Sequence, residues 1–130
     1  MASKSENFEW LLDHELLLAK RYGRPLTLAF IETASQNGSF EECFWGVLRD
    51  CDIYSVLTPS CAAILMCDTD PEGAHKALER FRSEHGQQAA FPCGIVSYPQ
   101  DNCDTLEFLR AGFKRLRESK GPEGAEPSAP

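Results

Sequence analysis

The chain has 130 residues and a formal net charge of −7, with 42% hydrophobic and 25% charged side chains. That length suits one domain with one core, and the composition is globular rather than disordered. The acidic balance excludes a general nucleic-acid binder, which needs many cations facing phosphates; no apolar run is long enough to span a membrane, and the N-terminus lacks a signal peptide, so a cytoplasmic location is expected.

Between Phe8 and Arg21, apolar residues recur at Phe8, Leu11, Leu12, Leu16 and Ala19, the spacing of a helix with one buried stripe. Tyr22-Gly23-Arg24-Pro25 ends it, because Gly takes positive φ and Pro cannot continue a helix. Leu26 to Ile31 is apolar at every position but Thr27, which predicts a strand covered on both faces. A polar loop around Asn37-Gly38 follows, then a short helix over Phe40–Arg49 with Ser39 as N-cap and Glu42 completing a capping box. Asp52 to Leu57 and Cys61 to Cys67 read as two strands of a hairpin. Pro71 opens the next helix, which buries Ala74, Ala77, Leu78 and Phe81. Cys93 to Tyr98 is a fourth strand. Asp104 to Arg117 is a last helix, with Leu106, Leu109, Phe113 and Leu116 inward. Residues 120–130 carry no aromatic or branched apolar side chain and form an expected disordered tail, so the domain spans 1–119. The predicted fold class is α+β. Its βαββαβ order is ferredoxin-like, a four-stranded, mostly antiparallel sheet with flanking N- and C-terminal helices.

The six cysteines show no C-x-x-C pair and sit in or beside apolar segments, which favours reduced, buried thiols over a zinc site or redox pair. His14, His75 and His85 share no spacing with acids or cysteines, so no His-based active site is expected. Glu41-Glu42, and Asp68 with Asp70, read as charged loop and helix-start residues rather than metal ligands. Lys114, Arg115 and Arg117 read as a solvated helix face. Trp10 and Trp45 read as packing residues, although an exposed apolar cluster around either would mark a docking surface. No metal or other cofactor is expected.

From Arg49 to Arg82 the chain resembles the central block of GGDEF domains, the bacterial cyclic di-GMP synthase family. Asp52-Ile53-Tyr54-Ser55 and Ala63-Ile64-Leu65-Met66 are similar to the strands on either side of that family's signature turn. Glu15 to Ile31 resembles its entry helix and first strand, Thr69-Asp70 and Gly73-Ala74 its following loop and helix, and Gly94-Ile95-Val96-Ser97 its fourth strand. The resemblance covers roughly residues 8 to 118. The signature turn itself falls on Thr58, Pro59, Ser60, Cys61 and Ala62. Where the family has two glycines that let backbone approach phosphate, this chain has Thr58 and Pro59. Ser60 and Cys61 replace the acidic pair, and Ala62 the aromatic. Of the first-strand acids only Glu32 remains, with Ala34 at the second position. Active members hold Mg²⁺ between such acids, so the resemblance implies a domain without cyclase activity.

A second feature of the family is a product-binding site with the motif R-x-x-D just before the strand that enters the signature turn. Arg49-Asp50-Cys51-Asp52 stands there at matching spacing, and Arg80 falls in the following helix, where a further arginine often joins the site. The chemistry suits guanine: arginine donates two hydrogen bonds to O6 and N7, a carboxylate accepts from the base edge, and the guanidinium plane stacks. The resemblance thus implies a cyclic di-GMP receptor, with Arg49 and Asp52 as primary contacts and Arg80 as helper. A partner protein and a ligand-bridged dimer fit that role. The alternatives stay open. Arg49 would also be favoured at a helix C-terminus by the dipole alone, Asp52 could simply shape the strand entry, and Arg80 could be a solvated helix residue. The chain would then be a nucleotide-independent protein-interaction scaffold. A third reading is residual nucleotide turnover using Glu32.

Overall fold

The structure, a computed structural model, describes residues 3–4, 7–32, 49, 51–58, 61–84, 92–102 and 104–119. These form β1 (Ser3–Lys4), α1 (Phe8–Tyr22), β2 (Leu26–Glu32), β3 (Ile53–Thr58), β4 (Cys61–Cys67), α2 (Pro71–Glu84), β5 (Cys93–Tyr98) and α3 (Thr105–Ser119). The predicted helix over 40–49, apart from Arg49, lies outside the described residues. So do Pro59, Ser60, the tail, Trp45 and His85.

The sheet order is β1-β3-β4-β2-β5. Each adjacent pair among the four longer strands is antiparallel, as the sequence predicts, and β2 lies between β4 (Leu26 opposite Cys67, Glu32 opposite Cys61) and β5 (Leu26 opposite Tyr98). The two-residue β1 runs parallel to β3 and was not expected, since Ser3-Lys4 is too short and polar to leave a pattern. The fold is α+β.

Alternation along the strands divides the core into two faces. Leu26, Leu28, Phe30, Ala63, Leu65 and Val96 pack against Leu12 and Leu16 of α1 and Phe108 and Leu116 of α3. Ala29, Ile31, Ile64 and Met66 pack against Ala74, Leu78 and Phe81 of α2. Every residue from Leu26 to Ile31 is buried, which accounts for the unbroken apolar run. Gly23 closes α1 at φ 66°, and the Arg24 N–H returns to the Ala19 carbonyl at 3.0 Å.

Three side chains expected inside are not. Leu106 is 52% exposed, Phe113 42% and Trp10 66%. The buried stripe of α3 is Phe108, Gly112 and Leu116, which puts Leu106 about 200° around the helix from Phe108. Trp10 stands two residues from both Phe8 and Leu12 and is turned outward in the same way. Phe113 lies beside the stripe and stacks its ring on Phe30 at 4.1 Å. The stripe is set by close approach. A Cβ on Gly94 would lie 2.2 Å from the Gly112 carbonyl oxygen and 2.4 Å from the Leu116 nitrogen, and one on Gly112 would lie 2.4 Å from the Phe30 ring.

Arg115 is more than a solvated cation. It donates to both Asp101 carboxylate oxygens at 2.8 and 2.9 Å and to the Ile95 carbonyl at 2.8 Å, tying α3 to the end of β5. These bonds, with the Ser97 N–H, hold the Asp101 carboxyl below the usual carboxylate range, partial burial opposing them. A folded-state pKa below the unfolded one adds stability that is present above the unfolded value and lost as pH falls through the folded value. Acid titration below about pH 4 should therefore cost the native chain more stability than it costs Arg115→Ala, by at most about 1 kcal/mol for so exposed a pair. Urea melts at pH 3 and pH 6 check this, and parallel losses in the two proteins would remove the staple from the account.

Candidate ligand groove

Arg49 and Asp52 form a closed local unit. The Arg49 N–H donates to Asp52 Oδ2 at 2.9 Å, the Asp52 N–H returns to the Arg49 carbonyl at 3.0 Å, and Arg49 Nη2 reaches Asp52 Oδ1 at 3.4 Å. The same Nη2 donates to the Cys67 carbonyl and to Thr69 Oγ1. Thr69 Oγ1 in turn donates to the Cys67 carbonyl at 2.8 Å. One edge of the guanidinium is thus pinned to the end of β4. The Arg49 side chain remains 53% exposed, whereas that of Asp52 is 4% exposed. Among the described residues, Nε and Nη1 make no hydrogen bond, so each keeps N–H donors free, although both two-point forks of the guanidinium run through the engaged Nη2.

Arg49, Asp52 and Arg80 line one groove of about 380 Å³, completed by Pro25, Met66, the 68–70 loop and Gly73, Lys76 and Ala77. Gly73, Lys76, Ala77 and Arg80 follow one another at helical spacing, so a single face of α2 forms one wall. Asp70 accepts from the Gly73 N–H at 2.8 Å and caps α2. Arg80 makes no hydrogen bond or ion pair with a described residue, while Lys76 lies 4.0 Å from Glu72. The groove therefore sets two guanidinium groups and an ammonium beside the exposed carboxylates of Asp68 and Asp70, with Asp52 behind Arg49 rather than at the surface.

Sequence reasoning missed the buried hydroxyls beneath this groove. Thr27 Oγ1 donates to the Thr69 carbonyl at 2.7 Å and lies 2.7 Å from Ser97 Oγ. Thr27 and Ser97 are 0% and 1% exposed. The signal was present: Thr27 is the single polar residue in the run from Leu26 to Ile31.

Thr58, Cys61 and Ala62, the described part of the segment that resembles the signature turn, lie at the other end of β4. Thr58 pairs with Cys61, Val56 with Ala62, and Glu32 with Cys61. Cys61 and Ala62 are buried. Six residues of extended strand separate Cys61 from Cys67, a distance of about 20 Å. Among the described residues, this end sets one carboxylate, Glu32, opposite a thiol, Cys61, a pair that does not suit Mg²⁺, a hard ion that takes oxygen ligands. No group of three His, Cys, Asp or Glu able to hold a metal occurs among the described residues.

Of the described thiols, Cys61 is buried, Cys67 and Cys93 half-buried, and Cys51 exposed, which corrects the expectation of burial for Cys51. Burial, with the charge of Glu15 beside it, pushes the Cys67 thiol up to about 12. Burial and Asp52 raise Cys51, against the pull of Arg49. Raised values leave both thiols protonated and poor nucleophiles at neutral pH. Among the described residues, no helix is long and apolar enough to cross a membrane.

No protein-family model matches the chain, and no curated protein does. Solved structures do. The active GGEEF domain of a diguanylate cyclase from Vibrio cholerae superposes with a TM-score of 0.73 at 16% identity, covering 93% of this chain and 94% of that one. The GGDEF domain of YfiN (TpbB) from Pseudomonas aeruginosa gives 0.75 at 16% identity over 92% of this chain and 84% of that one. The GGDEF domain of DgcB from Caulobacter crescentus, solved in complex with c-di-GMP, gives 0.73 at 13% identity over 90% and 82%. At such identities the likeness concerns architecture: this chain has the fold of GGDEF domains.

Proposed function

We propose that the chain is a cyclic di-GMP receptor without cyclase activity. The observation that carries this reading is the convergence of Arg49, Asp52 and Arg80 on one groove, about 20 Å along β4 from the altered turn. Arg49 is held through Nη2 and keeps Nε and Nη1 for single hydrogen bonds to a guanine edge, while its half-exposed guanidinium plane can stack on the base. Arg80 and Lys76 add charge for the phosphates. Asp52 acts chiefly by positioning Arg49. DgcB, which shares the fold, was solved with c-di-GMP bound. The altered turn supports loss of synthesis, since Glu32 faces a thiol where the family reading requires a second acid.

Isothermal titration with cyclic di-GMP tests the receptor role, and absence of binding at high micromolar ligand would overturn it. Arg49→Ala should weaken binding about tenfold to a hundredfold, as loss of a charged hydrogen bond or of one stacked base does. Unchanged affinity in that variant places the ligand elsewhere. Incubation with GTP and Mg²⁺ should yield no product; cyclic di-GMP formation would sink the claim of inactivity.

A further inference from the structure

The face of the molecule opposite the Arg49 groove carries a second feature. On α1, Trp10, Asp13 and Leu17 recur at helical spacing, and the first turn of α3 brings Leu106 against them. Trp10 and Leu17 are 66% and 63% exposed, and Leu106 is 52% exposed. These are half of the six large apolar side chains found exposed among the described residues. Isolated exposed leucines are ordinary, but three large ones meeting in one depression are not.

The depression has two adjoining parts. A groove of about 650 Å³ runs past Asn7, Glu9 and Trp10, and another of about 330 Å³ past Leu16, Leu17 and Lys20. The two meet at Asp13, Thr105 and Leu106 and together make a trough in two parts along α1. From Asn7 to Lys20 that trough measures about 20 Å at the rise of a helix, enough for three to four turns of a second helix. Its floor is fixed: Thr105 Oγ1 donates to Asp13 Oδ1 at 2.7 Å, joining the two helices. The Trp10 ring lies parallel to His14 with centroids 5.5 Å apart, so the largest apolar anchor is already oriented.

Charge selects the occupant. Among the described lining residues, Glu9, Asp13 and Asp104 are acidic and Lys20 is the single cation. A second copy of the chain, at −7, would lay acid against acid across a two-fold contact. We propose that this trough docks an amphipathic helix of a partner protein that carries Lys or Arg on its flanks. Its apolar stripe lies on Trp10, Leu106 and Leu17, with the cations over Glu9, Asp13 and Asp104. This inference does not depend on cyclic di-GMP, because the sheet separates the trough from the groove beside α2.

The probe is a labelled 18-residue helical peptide with leucines along one face and lysines elsewhere, and a counterpart with glutamate for lysine, measured by fluorescence polarisation. The lysine peptide should bind and the glutamate peptide should not. Leu17→Ser and Leu106→Ser should each weaken binding by about tenfold, as loss of a central anchor does, with unchanged circular dichroism. Glu9→Lys should weaken it further and flatten its salt dependence. Equal binding to the Leu17→Ser/Leu106→Ser double variant would reduce the attraction to diffuse charge and overturn the proposal, and so would failure of the lysine peptide to bind. Sedimentation showing a dimer that Leu17→Ser dissolves would make the occupant a second copy and equally overturn it.

Discussion

Gly94→Ala should cost the domain about 3 kcal/mol or more and lower its melting temperature by about 10 °C. The added methyl would lie 2.2 Å from the Gly112 carbonyl oxygen and 2.4 Å from the Leu116 nitrogen. Both are backbone atoms of α3, so no rotamer change relieves the contact, and the helix itself has to lift. Lifting it pulls Phe108 and Leu116 off Phe30 and Val96, in the larger of the two core faces. Two other glycines calibrate the result. Gly112→Ala meets the Phe30 ring at 2.4 Å, a side chain with limited freedom to shift, and should cost less. Gly23→Ala meets nothing within 4 Å and carries only the strain of φ 66°, about 1 kcal/mol. Urea melts of the three variants should rank in that order. A Gly94→Ala protein that melts like the native one would mean that α3 does not press on β5 as described.

Asp52→Ala should damage stability and ligand binding together. Its carboxylate, 4% exposed, accepts from the Arg49 N–H and from Arg49 Nη2. Removing a buried charged acceptor while its donors remain costs about 2 kcal/mol. Arg49 would also lose the partner that holds its guanidinium against β4, so affinity for cyclic di-GMP should fall about tenfold or more. Arg49→Ala should lose affinity to a similar degree with a smaller stability loss, because its side chain is half exposed. The double variant Arg49→Ala/Asp52→Ala should then be less destabilised than the sum of the single losses, because removing both partners leaves fewer orphaned groups. Additive stability losses would show that the pair is not coupled, and Asp52→Ala binding at native affinity would remove its positioning role.

These two sites differ in how they are written in the chain. Arg49 and Asp52 stand three residues apart, so spacing brings that pair together, whereas Arg80, on the next helix, was joined to them only through the likeness to a family. The other anchors of Arg49 are the Cys67 carbonyl and Thr69 Oγ1, and a backbone oxygen leaves no trace in residue identity. The strands were legible because β2 is buried along its whole length and β4 repeats that burial. Trp10, outside the predicted stripe, was read as a packing residue on its apolar character, which does not say which way a side chain faces. Phe8, Leu12, Leu16 and Ala19 already fill the inner stripe of α1, and Trp10 falls outside it. Leu106 was misassigned for the same reason. The stripe of α3 is centred on Gly112, a residue without a side chain to mark it. Gly94 was noted only as part of a likeness; its physical demand is visible only once α3 is in place.

The buried hydroxyl pair has a polarity. Thr27 carries one hydroxyl proton, and the Thr69 carbonyl can only accept it. The contact with Ser97 must therefore run from the serine to the threonine, not the reverse. The proton order is one-way, from β5 through β2 to the loop that holds Arg49, and each hydroxyl has a single assigned duty. Substitutions along it are unequal in consequence. A methyl for the Ser97 hydroxyl deletes a terminal donor, whereas valine for Thr27 strands a carbonyl on one side and a hydroxyl on the other. The loop under the groove is thus fastened through the second residue of β2, by the one hydroxyl in a run that is otherwise hydrocarbon from Leu26 to Ile31.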